Sequence, residues 1–121
     1  MKKIQKMSEA EKKIMEIVWL TGRPITTREI MDILPEDIEW KQKTVITFLA
    51  RLMEKGILKA TRISKANYYE ACMSEQEYTD FETKKFIENV HKGSIFSFIS
   101  SLCNSGELSS KDIEDIKNLL K

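Results

Sequence analysis

No stretch of this chain approaches the roughly 20 consecutive apolar residues that a membrane-spanning helix needs, so no span is expected. Met1-Lys2-Lys3 carries the charge of a signal-peptide start, but Gln5, Lys6, Ser8 and Glu9 leave no apolar run behind it. Cysteine is scarce. Cys72 and Cys103 sit in unrelated contexts and suggest neither a disulfide framework nor a thiolate metal site, which fits a reducing cytoplasm. Histidine is rarer still, because His91 stands alone with no second ligand at metal spacing. Glycine-rich phosphate loops, Gly-x-Ser-x-Gly and His-Glu-x-x-His are all missing. An enzyme is therefore not expected, and no metal or cofactor is called for.

What the chain has is segregated charge. The net charge of +1 hides a run from Lys41 to Lys65 with seven basic residues against Glu54 alone, a local balance of +6. On either side, Arg23 to Glu39 and Glu75 to Glu88 each balance at −3. A near-neutral protein with one basic surface is suited to meet a polyanion with that surface only.

The basic run opens with Trp40 to Gly56, which reads as one two-faced helix. At about 100° per residue, Val45, Phe48, Leu49, Leu52 and Met53 share one arc, and Lys43, Thr44, Thr47, Arg51 and Lys55 share the other. Gly56 ends it by taking the left-handed conformation without steric cost. Ile46 borders the apolar arc. It is open to two uses, core or contact with a thymine methyl, and core is the expectation.

Ser8-Glu9-Ala10-Glu11 is a capping-box pattern that starts a first helix, with Ile14, Met15, Ile17, Val18 and Trp19 as its buried stripe and Thr21-Gly22 as its end. Arg23-Pro24-Ile25 is extended and suited to a very short edge strand. Thr26 to Glu29 is a second capping box, opening a short helix that Pro35 stops. A short helix followed by a longer basic one predicts a helix-turn-helix. The connection between them is too long for the minimal form and points to the winged variant. The wing is predicted as a β-hairpin of residues 57–63 and 68–73, with Lys65 near its tip.

Ser74 to Glu77 is a third capping box and begins a helix to about His91. Ser94 to Cys103 is an apolar helix, and Ser109 or Ser110 caps a last one. These helices carry more apolar surface than a monomer of 121 residues easily buries, so a homodimer interface is expected. The aromatics Phe81, Phe86, Phe96 and Phe98 are assigned to that interface rather than to a ligand pocket. The expected fold is mainly α with a small β-hairpin: a winged helix-turn-helix DNA-binding domain over residues 1–73 and a helical dimerisation domain over 74–121.

A basic helix face is by default a solvated one. Three features argue for double-stranded DNA instead: almost no balancing acid, continuation through Lys59, Arg62 and Lys65, and the capped helix just before it. Lys43, Thr44 and Thr47 are the candidate readers in the major groove. Arg51 is placed for a phosphate, and Arg62 and Lys65 for flanking backbone or minor groove. The alternatives are a winged-helix module that binds protein, and a repressor whose C-terminal aromatic helices hold an effector.

With these residues laid out, the chain resembles the penicillinase-repressor (BlaI/MecI) family over essentially its whole length. The likeness rests on Ser8-x-x-Glu11 with Met15, Ile17 and Trp19, and on Trp40-x-x-Lys43-Thr44-Val45-x-Thr47-x-Leu49-x-Arg51-Leu52-x-x-Lys55-Gly56. Tyr68-Tyr69, Phe86-Ile87, Lys92-Gly93 and Leu108-Ser109 extend it. The resemblance implies a cytoplasmic homodimeric repressor that binds a palindromic operator before β-lactamase-type or related genes, and so a role in antibiotic resistance. It also implies induction through a membrane sensor protease, with the repressor cut in its dimerisation helices. The family's Asn-Phe bond corresponds here to Ser101-Leu102. Lys41 stands where the family commonly has a serine cap, so the cap of the basic helix has to come from elsewhere. The copper-responsive branch has a Cys-x-Cys cluster where this tail has only Cys103.

Overall fold

The computed structural model describes residues 3–121. Six helices and one hairpin follow in the order α1 (Glu9–Thr21), α2 (Thr27–Ile33), α3 (Gln42–Glu54), β1 (Leu58–Ile63), β2 (Ala66–Ala71), α4 (Glu75–Val90), α5 (Ile95–Ser105) and α6 (Ser110–Leu119). The chain groups into two units that divide inside α4, one ending at Thr79 and the other starting at Asp80.

Local chemistry sets the helix starts. Ser8, Thr26, Ser74 and Ser109 each accept the backbone N–H three residues on, and the carboxylate at that position accepts the capping residue's own N–H. α1 ends on Gly22 at φ 68°, a conformation that carries no penalty without a Cβ.

The first unit is a helix-turn-helix with a wing. Ile14, Met15 and Val18 of α1 meet Ile30 of α2 and Val45, Leu49 and Leu52 of α3 in one core. Each such side chain contributes roughly 1.5–3 kcal/mol on leaving water. Trp40 closes the loop before α3, its ring packing edge-on to Phe48 with centroids 5.1 Å apart.

β1 and β2 pair antiparallel with Leu58 opposite Ala71 and Ile63 opposite Ala66, so the turn is Ser64-Lys65. It is two residues tighter than the Ser64–Asn67 link expected from sequence. Ser64 takes a left-handed φ of 56°, the sign such two-residue hairpin turns demand. Ile25 adds the expected edge, exchanging both backbone hydrogen bonds with Tyr69 at 2.9 and 2.8 Å. The start of α4 is tied to this unit. The Met7 N–H donates to Tyr78 Oη at 2.7 Å, and Trp19 Nε1 donates to the Met73 carbonyl at 2.9 Å.

In the second unit, Phe86 and Phe98 flank His91, each ring centroid 5.5 Å from the imidazole, and His91 Nδ1 lies 2.9 Å from Ser97 Oγ. No residue of α5 or α6 is fully buried. Phe96 is 83% exposed and Leu119 82%. No helix of the described residues is long and apolar enough to cross a membrane.

Candidate nucleic-acid interface

The back of α3 fixes what its front can do. With Val45, Leu49 and Leu52 buried, the helix can turn only one way, and Lys43, Thr47 and Arg51 are held outward in solvent. Thr44 is half-buried at the edge of that face. Among the described residues, Lys41, Lys43, Arg51 and Lys65 have no carboxylate partner. Their charge is therefore available to a ligand.

Not all of the basic run is available. Lys55, placed by the helical wheel on the polar arc, turns inward and donates from Nζ to Glu11 Oε1 at 2.6 Å. Glu11 is buried. Burial by itself pushes its carboxyl up, but the hydrogen bond and charge of Lys55, with the Ser8 backbone N–H and hydroxyl, bring it below its ordinary 4.5. Lys59 is drawn to Glu70 across the hairpin at 3.6 Å. The free positive face is thus narrower than the sequence count. A signal was present: Glu11 falls three and four residues before Ile14 and Met15, inside the buried stripe, where a carboxylate needs a cation.

The first turn of α3 also differs from expectation. Lys41 is the N-cap, and its side chain makes no capping hydrogen bond. The backbone closes the turn by itself, the Thr44 and Val45 N–H groups both donating to the Lys41 carbonyl at 3.0 and 3.2 Å, and the positive end of the helix dipole lies there.

Thr47 is committed in part, because its hydroxyl donates to the Lys43 carbonyl at 3.1 Å. The oxygen can still accept. Ile46, expected in the core, is 45% exposed and belongs to the outward face. In the wing, Arg62 and Lys65 are both exposed, and Arg62 Nη1 reaches Asn67 Oδ1 on the opposite strand at 3.4 Å. This unit therefore brings together a helix face with Lys43, Thr44, Thr47 and Arg51, and a hairpin with Arg62 and Lys65.

The sequence model of a family described as Penicillinase repressor matches residues 7–121. The chain belongs to the penicillinase repressor family. It is 27% identical to the penicillinase repressor of Bacillus licheniformis over 121 residues, which covers 100% of this chain and 94% of that protein. The methicillin resistance regulatory protein MecI of Staphylococcus aureus strain N315 is also 27% identical, over 98% of this chain and 95% of MecI. The solution structure of the DNA binding domain of the repressor BlaI superposes with a TM-score of 0.56 at 33% identity, over 64% of this chain and 94% of that one. The Bacillus licheniformis BlaI monomeric form, solved in complex with the blaP half-operator, matches at 33% identity with a TM-score of 0.52. The winged helix expected from sequence is thus the fold of this penicillinase repressor family member.

Proposed function

We propose that this family member represses transcription by occupying operator DNA with α3 and the wing. The observation that carries the reading is the outward face of α3, where Lys43 and Arg51 stand two turns apart with no internal partner on a helix locked from behind. In this reading Lys43, Thr44 and Thr47 enter the major groove, and Arg51 takes a phosphate. The uncapped first turn of α3 adds backbone N–H donors for a second phosphate. Arg62 and Lys65 hold the flanking backbone.

The chain acts as a homodimer in the cytoplasm, with residues 1–73 as the DNA-binding domain and 74–121 as the dimerisation domain. Support comes from the apolar side chains that α5 and α6 leave uncovered, among them Phe96, Leu119 and Leu120. Two-fold symmetry then calls for a palindromic operator with half-sites about 34 Å apart, or a multiple of that. Repression is relieved by a sensor-protease pathway that cuts at Ser101-Leu102. Both residues lie within α5, so cutting there removes half of an apolar helix from the dimer.

Selection from a random duplex pool tests the DNA reading, since it demands binding and names the site together. A recovered inverted repeat is the expected result. A pool with no enriched sequence contradicts it.

A further inference from the structure

Between the two cations of α3 along its axis, the outward face carries two exposed apolar side chains. Ile46 lies one turn after Lys43, Ala50 one turn after Ile46, and both are exposed. At about 100° and 1.5 Å per residue, Ala50 falls within roughly 20° of Lys43 around the helix, and Ile46 about 60° to the same side, away from Arg51. Thr47 adds its methyl group beside them, while its hydroxyl, whose hydrogen is held by the Lys43 carbonyl, can only accept. Glu54, also exposed, lies on this face at the C-terminal end. An acid there is repelled by phosphate, so the N-terminal three turns are the part that can lie deep in a groove. Ile46 is in the middle of them.

A β-branched apolar side chain has no partner among phosphates or base-edge donors and acceptors. The one apolar group displayed in the major groove is the thymine C5-methyl. We propose that Ile46, supported by Ala50, is a specificity-determining residue that reads a thymine methyl in each operator half-site. The proposal rests on the DNA-binding reading and assigns the base that reading leaves open. Lys43 enters the groove one turn before it, Arg51 holds a phosphate beyond it, and Ile46 selects thymine against cytosine, which lacks the methyl.

The test uses the full chain and the duplex recovered by selection. Each thymine in a half-site is replaced singly by uracil, which deletes the methyl and keeps every hydrogen-bonding group. One thymine is expected to lose about four-fold in affinity per half-site, the equilibrium equivalent of one buried methyl. Ile46→Ser should bind the thymine and uracil duplexes equally, and Ile46→Val should keep most of the discrimination. Because Ile46 is outside the core, both variants should unfold at the temperature of the parent. Tight binding with no uracil-sensitive thymine, or unchanged sensitivity in Ile46→Ser, overturns the proposal and leaves DNA binding standing. No binding to any duplex overturns both.

Discussion

Lys55 Nζ and Glu11 Oε1 meet at 2.6 Å, joining the C-terminal cap of α3 to the first turn of α1. Gln5 reinforces the junction, donating its N–H to the Lys55 carbonyl at 3.1 Å. The pair fixes where the far end of α3 sits, and so how its outward face is aimed. Lys55→Met leaves the Glu11 carboxylate buried without its cation. It should cost about 2–3 kcal/mol, at the low end of or below the ~3–5 of a fully buried pair because Lys55 keeps some water. Urea denaturation at neutral pH measures this.

The same pair sets a pH dependence with a defined sign. Glu11 is held below its ordinary 4.5, so it adds stability above that value and loses it as pH falls through the lower folded value. In Lys55→Met the burial effect is left to dominate and the carboxyl moves up. Acidification through the carboxylate range then relieves a penalty, so the gap between variant and parent should narrow as pH falls. A gap that widens on acidification would show that the Lys55 hydrogen bond is not what lowers Glu11.

Glu29 should titrate at about 2. The hydrogen bond from Arg23 at 2.6 Å is the main cause, followed by the Thr26 backbone N–H of the capping box. Carboxyl-carbon NMR should show this resonance returning part of the way toward 4.5 in Arg23→Ala, with the Thr26 contribution left behind. A titration near 4.5 in the parent would mean that neither the Arg23 hydrogen bond nor the α2 cap holds Glu29 as described.

The fold was legible where local chemistry decides it. Capping boxes at Ser8, Thr26 and Ser74, the Gly22 stop and the apolar backs of α1 and α3 all follow from side chains a few residues apart, and the winged helix follows from their order. Legibility failed where the deciding partner is distant. Lys55 looked like one more cation until Glu11, 44 residues away, claimed it. Ile46 looked like core because hydropathy cannot say where the buried arc of a helix ends. Its exposure depends on how far the α1–α3 contact extends around α3. The link at Ser64–Asn67 shrank to two residues because Arg62 and Asn67 pair across the strands, a register that sequence alternation left open.

The wing cations should act without regard to sequence. Arg62→Ala and Lys65→Ala should weaken binding to the selected duplex and to a scrambled one by similar factors, as expected for backbone contacts. Competition titration against both duplexes gives the ratio. A change in that ratio would place the wing among the base readers.

The uncovered face of the second unit should govern assembly. Phe96→Glu combined with Leu119→Lys places charges where exposed apolar side chains now stand. Sedimentation equilibrium should show a dimer for the parent and a monomer for the variant. A dimeric variant would locate the interface elsewhere.

Binding of the selected duplex, followed by fluorescence anisotropy from 50 to 300 mM salt in the parent, Lys43→Ala and Arg51→Ala, bears on the role of α3 without intermediaries. Counterion release predicts a steep linear fall of log K with log salt in the parent, and a slope shallower by about one unit in each variant, with unfolding temperatures unchanged. Salt-independent binding, or parental affinity and slope in both variants, would contradict DNA recognition by this helix.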